Sequence, residues 1–172
     1  YAAMAVLRKG RFLLEGLSLD SCQPDRKIVE VFEKLGVRTI ETERGVIIEA
    51  NGDIVDKLVV DCKNMPDAVM YIAVAACVLG VDFEISGIET LRVKESDRIE
   101  ALITEMRKCG FEIIHNSQFI IHNLKTTMCD VQYVVQKPLI KTYNDHRVAM
   151  AMAVVGLVRE IEIEELEVVN KS

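Results

Sequence analysis

Tryptophan is absent from this 172-residue chain, aromatic residues make up only 5% of it, and the 21 Lys and Arg fall short of the 27 Asp and Glu, for a formal charge of -6. A general nucleic-acid binder carries a basic stripe interleaved with stacking aromatics, so that class is excluded. Any anion the protein binds must therefore meet cations gathered locally. Long apolar runs are missing too. Ala68 to Leu79 and Val148 to Val158 reach about half of the roughly 20 residues that span a bilayer, and no charged leader precedes the first. The expectation is a cytoplasmic protein with no membrane partner. The five cysteines, Cys22, Cys62, Cys77, Cys109 and Cys129, are odd in number and never form a Cys-x-x-Cys pair. Neither a disulfide framework nor a zinc site is indicated, and each reads as a small hydrophobe in or near the core. No metal and no cofactor is expected. No low-complexity linker interrupts the chain, although Leu124 to Ile140, which contains Pro138, is irregular. A chain of this size hides roughly 70% of its unfolded surface and is too short for two ordinary domains.

Self-similarity organises what is present. Ala68 to Leu79 is apolar on all sides, as a helix buried between layers should be, and Gly80 ends it. A strand, Val81 to Ser86, and a charged loop follow. Next comes a helix with apolar residues at Ile99, Leu102, Ile103 and Met106, the stripe of a half-buried helix, closed by Gly110. Two strands, Phe111 to His115 and Phe119 to His122, join through Asn116-Ser117-Gln118. The first part of the chain has the same order. Tyr1 to Leu7 is the tail of an apolar helix ended near Gly10, and Arg11 to Leu14 is a strand. Ile28, Val31, Phe32 and Leu35 mark a helix before Gly36, and a hairpin runs from Val37 through Glu43-Arg44-Gly45 to Ala50. A third unit has its buried helix from His146 to Val158 and a strand from Ile161. The unit implies one domain of three similar lobes whose buried helices share a core. The chain starts without Met inside an apparent helix and stops where another should begin, so a fragment is expected.

Two charged clusters stand at helix starts. Thr90-Leu91-Arg92-Val93-Lys94-Glu95-Ser96-Asp97-Arg98 packs three cations and two carboxylates into a loop, and Tyr143-Asn144-Asp145-His146-Arg147 heads a second helix. Each has a plain reading: Asp97 as N-cap with Glu100 completing a capping box, and Asn144 or Asp145 capping the other helix. Both nevertheless place an arginine, Arg98 or Arg147, where the helix dipole is already positive. A bound anion would supply the missing negative charge. Asp67 follows Pro66 at the head of the apolar helix, and its plain reading is again a cap. Of the three histidines, His115 and His122 fall in a hairpin, while His146 stands between Asp145 and Arg147.

Asn64-Met-Pro-Asp-Ala-Val-Met70, Leu91-Arg-Val-Lys-Glu-Ser-Asp-Arg98, Tyr143-Asn-Asp-His-Arg-Val-Ala-Met150 and Val169-Asn-Lys171 resemble, in order, motifs of the second half of the 5-enolpyruvylshikimate-3-phosphate (EPSP) synthase family. The resemblance implies an α+β fold, the α/β prism, built from three repeats of a βαβαββ unit around buried helices. It implies that residues 1–172 are a carboxy-terminal domain whose amino-terminal partner domain carries the rest of the site. The family reaction moves an enolpyruvyl group from phosphoenolpyruvate to the 5-hydroxyl of shikimate 3-phosphate, releasing phosphate. By the same resemblance Asp67 matches the base serving that hydroxyl and Glu95 the acid handling the methylene proton. Arg98, Arg147 and Lys171 match the cations that hold phosphoenolpyruvate. Asp67, Thr90 and Lys94 match contacts to shikimate 3-phosphate, with Asp145 and His146 beside the site.

Two positions depart from the family pattern: Thr90, where an asparagine is common, and Cys22-Gln23-Pro24-Asp25, where Gln-Gly-Asp is common. The rival expectations are an enolpyruvyl transferase acting on UDP-N-acetylglucosamine and a non-catalytic anion-binding module.

Overall fold

The computed structural model describes residues 1–116, 119–122 and 137–171, with the backbone alone at Pro24, Phe119–His122 and Lys171. The expected turn through Ser117 and Gln118, the side chain of His122 and most of the irregular stretch after Leu124, with Cys129, lie outside the described residues.

Helix α3, Val69–Leu79, forms the middle of the core, preceded by a single 3-10 turn over Pro66–Ala68. Val69, Met70 and every residue from Ile72 to Cys77 are buried, which is why no polar face was legible in its sequence. The Val69, Met70, Ile72 and Val74 side chains each contribute about 1.5–3 kcal/mol relative to exposure. Gly80 terminates the helix at φ 74, a left-handed conformation that favours glycine, and its N–H bonds back to the Cys77 carbonyl. Two strands flank this helix in the chain, β4 (Lys57–Asp61) and β5 (Asp82–Ser86), and pair in parallel. A parallel pair needs a crossover, and α3 is that crossover. β5 pairs antiparallel with β7 (Phe119–His122), and β6 (Ile114–Asn116) covers the outer side of β7, giving the order β4-β5-β7-β6.

The end of the chain repeats part of this pattern. Strands β8 (Leu139–Ile140) and β9 (Glu162–Ile163) pair in parallel around helix α5 (His146–Ala153). α5 is shorter than the apolar run suggested, because the backbone tightens into a 3-10 turn at Val155–Leu157 around Gly156. Between the two parallel units runs α4 (Arg98–Lys108), with its stripe Ile99, Leu102 and Met106 buried. Asp97 is its N-cap, accepting from the Glu100 N–H at 3.1 Å, and the Phe111 N–H closes the far end onto the Met106 carbonyl.

The first 54 residues form a separate antiparallel sheet, in the order β1 (Arg11–Glu15), β3 (Gly45–Ile54), β2 (Leu35–Thr42). Helix α1 (Ala2–Arg8) packs on β2 and β3, and α2 (Ile28–Lys34) packs on β2. Two boundaries differ from expectation. Lys9, not Gly10, takes the left-handed position after α1 (φ 49), and Leu35 opens β2 instead of ending α2. Gly45 begins β3 so close to β1 that a Cβ would lie 2.2 Å from the Leu14 carbonyl oxygen. Buried residues of α1, α3, α4 and α5 belong to one hydrophobic cluster. Among the described residues the chain is α+β, with three sheets of unequal size.

Candidate active site

Topology brings three helix starts together. α3 and α5 each begin beyond the carboxyl end of a parallel strand, β4 or β8, and α4 begins beyond that of β5. The three helices pack on one another, so their first turns meet on one side of the molecule. Gly87 at the end of β5 helps set this approach. Its φ is 72, and a Cβ there would lie 2.3 Å from the Lys63 nitrogen on the segment leading to Asp67.

Arg98 is the keystone, and it is not on the surface. Its residue is 0% exposed, and its guanidinium reaches all three helix starts. Nε donates to Asp145 Oδ2 at 2.8 Å and Nη2 to Asp145 Oδ1 at 3.3 Å, a fork that matches the carboxylate edge. Nη1 donates to Asp67 Oδ1 at 2.8 Å, and Nη2 also reaches Glu95. The unfavourable charge at the head of α4 is thus balanced from inside the protein, by carboxylates that are distant in sequence. Asp145, itself 0% exposed, also accepts from Ser96 Oγ at 3.0 Å and from the Arg147 N–H at 2.9 Å, the latter as N-cap of α5.

Asp67 does not cap its helix. Its carboxylate is shared among three cations: Arg98, Arg147 Nη2 at 3.0 Å and Lys94 Nζ at 3.3 Å. Burial pushes its pKa up, but Arg147, Lys94 and Arg98 outweigh that and hold the carboxyl below the usual range. The same balance applies to Asp145, where burial is outweighed by the hydrogen bonds from Arg98, the Arg147 N–H and Ser96. Among the described side chains, Lys94, Arg98 and Arg147 are therefore set against Asp67, Glu95 and Asp145, and the array is neutral.

The backbone carrying Asp145 is strained. Tyr143 and Asn144 have φ of 55 and 56. Left-handed backbone costs an L-residue about 1–2 kcal/mol, and tertiary contacts must hold two in succession. Arg147 Nε is buried without a hydrogen-bond partner among the described residues. Tyr71, one turn after Asp67 on α3, joins the cluster beside Arg147. Burial raises its hydroxyl pKa, and the Arg147 cation opposes the rise. Sequence reasoning missed Tyr71 because it sits inside an apolar run, and only its spacing from Asp67 marks it.

Of the residues expected at the site, Asp67, Lys94, Glu95, Arg98, Asp145 and Arg147 are joined by ion pairs. Thr90 is exposed on the 3-10 turn Glu89–Val93, four residues before Lys94, and His146 is half-buried as the first residue of α5. Neither bonds to the cluster among the described residues. The Lys171 backbone ends the 3-10 turn Leu166–Lys171, and its side chain lies outside the described set. The guanidinium forks and the Lys94 ammonium suit negative groups able to displace the partly exposed carboxylates of Asp67 and Glu95. A separate cavity of about 370 Å³, lined by Leu14, Leu19, Ile28, Phe32 and Val46, lies in the first lobe and is mostly apolar.

Comparison with known proteins gives the family. The family model "EPSP synthase (3-phosphoshikimate 1-carboxyvinyltransferase)" matches residues 1–172. A 3-phosphoshikimate 1-carboxyvinyltransferase of Bacteroides fragilis is 39% identical over 175 residues, covering 100% of this chain and 41% of the relative. One from Syntrophobacter fumaroxidans is 37% identical, covering 99% and 39%. One from Mannheimia succiniciproducens is 38% identical, covering 87% and 33%. The chain thus spans well under half the length of these relatives. An EPSP synthase structure from Acinetobacter baumannii superposes with a TM-score of 0.69 at 20% identity, covering 98% of this chain and 40% of that one, a likeness of fold.

Proposed function

The chain belongs to the EPSP synthase family, and we propose from that premise that it forms the carboxy-terminal half of an enzyme transferring enolpyruvyl from phosphoenolpyruvate to the 5-hydroxyl of shikimate 3-phosphate. The observation that carries the proposal is the Asp67 carboxylate shared by Lys94, Arg98 and Arg147. Both substrates are polyanions. Their phosphate and carboxylate groups compete with Asp67 and Glu95 for the same guanidinium and ammonium groups. When the substrates take over those cations, Asp67 loses the charges that keep it a weak base. It is then able to accept the proton of the attacking hydroxyl.

In this reading Arg98, Arg147 and Lys171 hold phosphoenolpyruvate, and Lys94, Thr90 and Asp67 contact shikimate 3-phosphate. Glu95, displaced from Arg98 by the incoming anions and then in its acid form, gives its proton to the methylene carbon as the hydroxyl oxygen bonds to the adjacent carbon. It recovers a proton from the resulting methyl group as phosphate leaves. His146 stands near the departing phosphate. The three sheets, two of them with a parallel pair around a buried helix, support an organisation in three related units. An amino-terminal domain would supply the remaining contacts, and a cytoplasmic location suits the substrates.

The test is turnover. The parent protein should release phosphate from the two substrates, and the 172-residue chain alone should not, because positioning is lost with half the site. In the parent, Asp67→Asn should lower turnover by about 10²- to 10⁴-fold without weakening phosphoenolpyruvate binding, since it removes a base and an internal competitor together. Turnover within a few-fold of wild type would eliminate Asp67 as the base.

A further inference from the structure

Glu105 is 0% exposed, yet it lies on α4 two turns beyond Arg98, where an apolar residue would continue the stripe. A buried carboxylate persists only where hydrogen bonds replace water. Among the described residues three bonds do so. Oε1 accepts from the Tyr143 hydroxyl at 2.7 Å, and Oε2 accepts from the Lys141 N–H at 3.1 Å and from Lys108 Nζ at 2.6 Å. Lys108 also donates to the Leu139 carbonyl at 3.2 Å. The far end of α4 is thereby tied to the segment from Leu139 to Tyr143, which leads into the strained turn at Tyr143 and Asn144.

Asp145 comes next, and the near end of α4 grips it through Arg98. One helix therefore holds the same turn at two points, and the second point has no other evident use. We infer that Glu105 is a positioning residue: through Tyr143 it fixes the turn that places Asp145, and through Asp145 it aims Arg98 and Arg147 at the donor anion. The inference rests on the enolpyruvyl-transfer reading for the identity of that anion, but not for the mechanical link.

Two measurements separate positioning from simple stabilisation. The first is the exchange rate of the Arg98 Nε proton, read by NMR in the parent protein, which reports the Arg98–Asp145 bond without requiring turnover. The second is the split between the KM for phosphoenolpyruvate and that for shikimate 3-phosphate. Tyr143→Phe removes only a hydroxyl from a partly exposed side chain, and Glu105→Gln keeps the shape while losing the charge. Both should speed Arg98 Nε exchange and raise the phosphoenolpyruvate KM by about tenfold, the value of one lost hydrogen bond. The KM for shikimate 3-phosphate should stay within about twofold, and Glu105→Leu should be worse than Glu105→Gln.

Unchanged Nε exchange in both variants overturns the inference. So does faster exchange with an unchanged phosphoenolpyruvate KM, or an equal rise of both KM values, each of which leaves Glu105 a structural tie. If the wild-type parent shows no enolpyruvyl transfer, the functional reading falls, while Nε exchange still decides the link from Glu105 to Arg98.

Discussion

On the sheet of the first lobe Arg11 lies 3.2 Å from Glu49 with its side chain 62% exposed, whereas Arg98 lies 2.8 Å from Asp145 with both side chains at 1% or less. Both are arginine–carboxylate pairs, and the distances are similar. What differs is the solvent. Around Arg11, Arg38 and Arg44 water screens each charge, and such pairs contribute about 0–1 kcal/mol. Around Arg98 water is excluded, so every charge must be answered by another, and removing one exposes the rest to their desolvation cost. The surface pairs are each answered by water, while the array centred on buried Arg98 and Asp145 is held at formal neutrality by its own members.

The largest effect should come from breaking the buried side. Arg98→Met leaves Asp145 buried without a counter-cation and should destabilise the chain by about 3–5 kcal/mol, read from urea unfolding midpoints. Adding Asp145→Asn should recover part of that loss, because the unpaired charge is removed while an acceptor for the α5 cap stays. A loss below about 1 kcal/mol from Arg98→Met would place Arg98 with the surface pairs.

Arg147→Gln should act differently, since Arg147 is partly exposed. Stability should change little, but phosphoenolpyruvate affinity of the parent protein should fall about tenfold or more in a binding titration, for loss of a charge-assisted bond. An unaltered affinity would remove Arg147 from the anion clamp.

Acid sharpens the contrast further. Asp67 and Asp145 have pKa values below those of the unfolded chain, so their stabilisation is complete above the ordinary carboxyl value of about 4 and is lost as pH falls through the lower, folded values. Unfolding midpoints measured from neutral pH downward should drop steeply below about pH 4, and Asp145→Asn should flatten that slope. Equal slopes would show that other carboxylates control acid unfolding.

The smallest effect belongs to the sheet. Arg44→Ala, which breaks the pair with Glu15 at the β2–β3 turn, should shift stability by less than about 1 kcal/mol, and less again in high salt. A larger loss would mean that exposure alone does not separate the two regions.

The sequence made the helices legible where local pattern decides them. α3 announces itself by being apolar all round, α4 by its stripe and the Asp97 cap, and Gly80 by the left-handed turn it occupies. Strand β4 was not singled out, because its five residues gain their meaning from parallel pairing with β5 across α3. At the site, residue types were legible through the resemblance, but their environment was not. Arg98 reads as a surface cation in a charged run, and its partners Asp67 and Asp145 stand 31 and 47 positions away. Glu105 and Tyr143, 38 positions apart, were invisible for the same reason: hydrophobic periodicity scores a buried carboxylate as a solvated face.

The apolar character of α3 also makes the chain a recorder of its own opening. Cys77 lies on that helix at 2% exposure, and burial raises its thiol pKa well above the ordinary value, so it is a poor nucleophile while the fold is closed. Cys22, by contrast, is exposed. A thiol reagent should modify Cys22 within moments and Cys77 only as fast as the central helix is released, turning two cysteines of one chain into a clock and its reference mark.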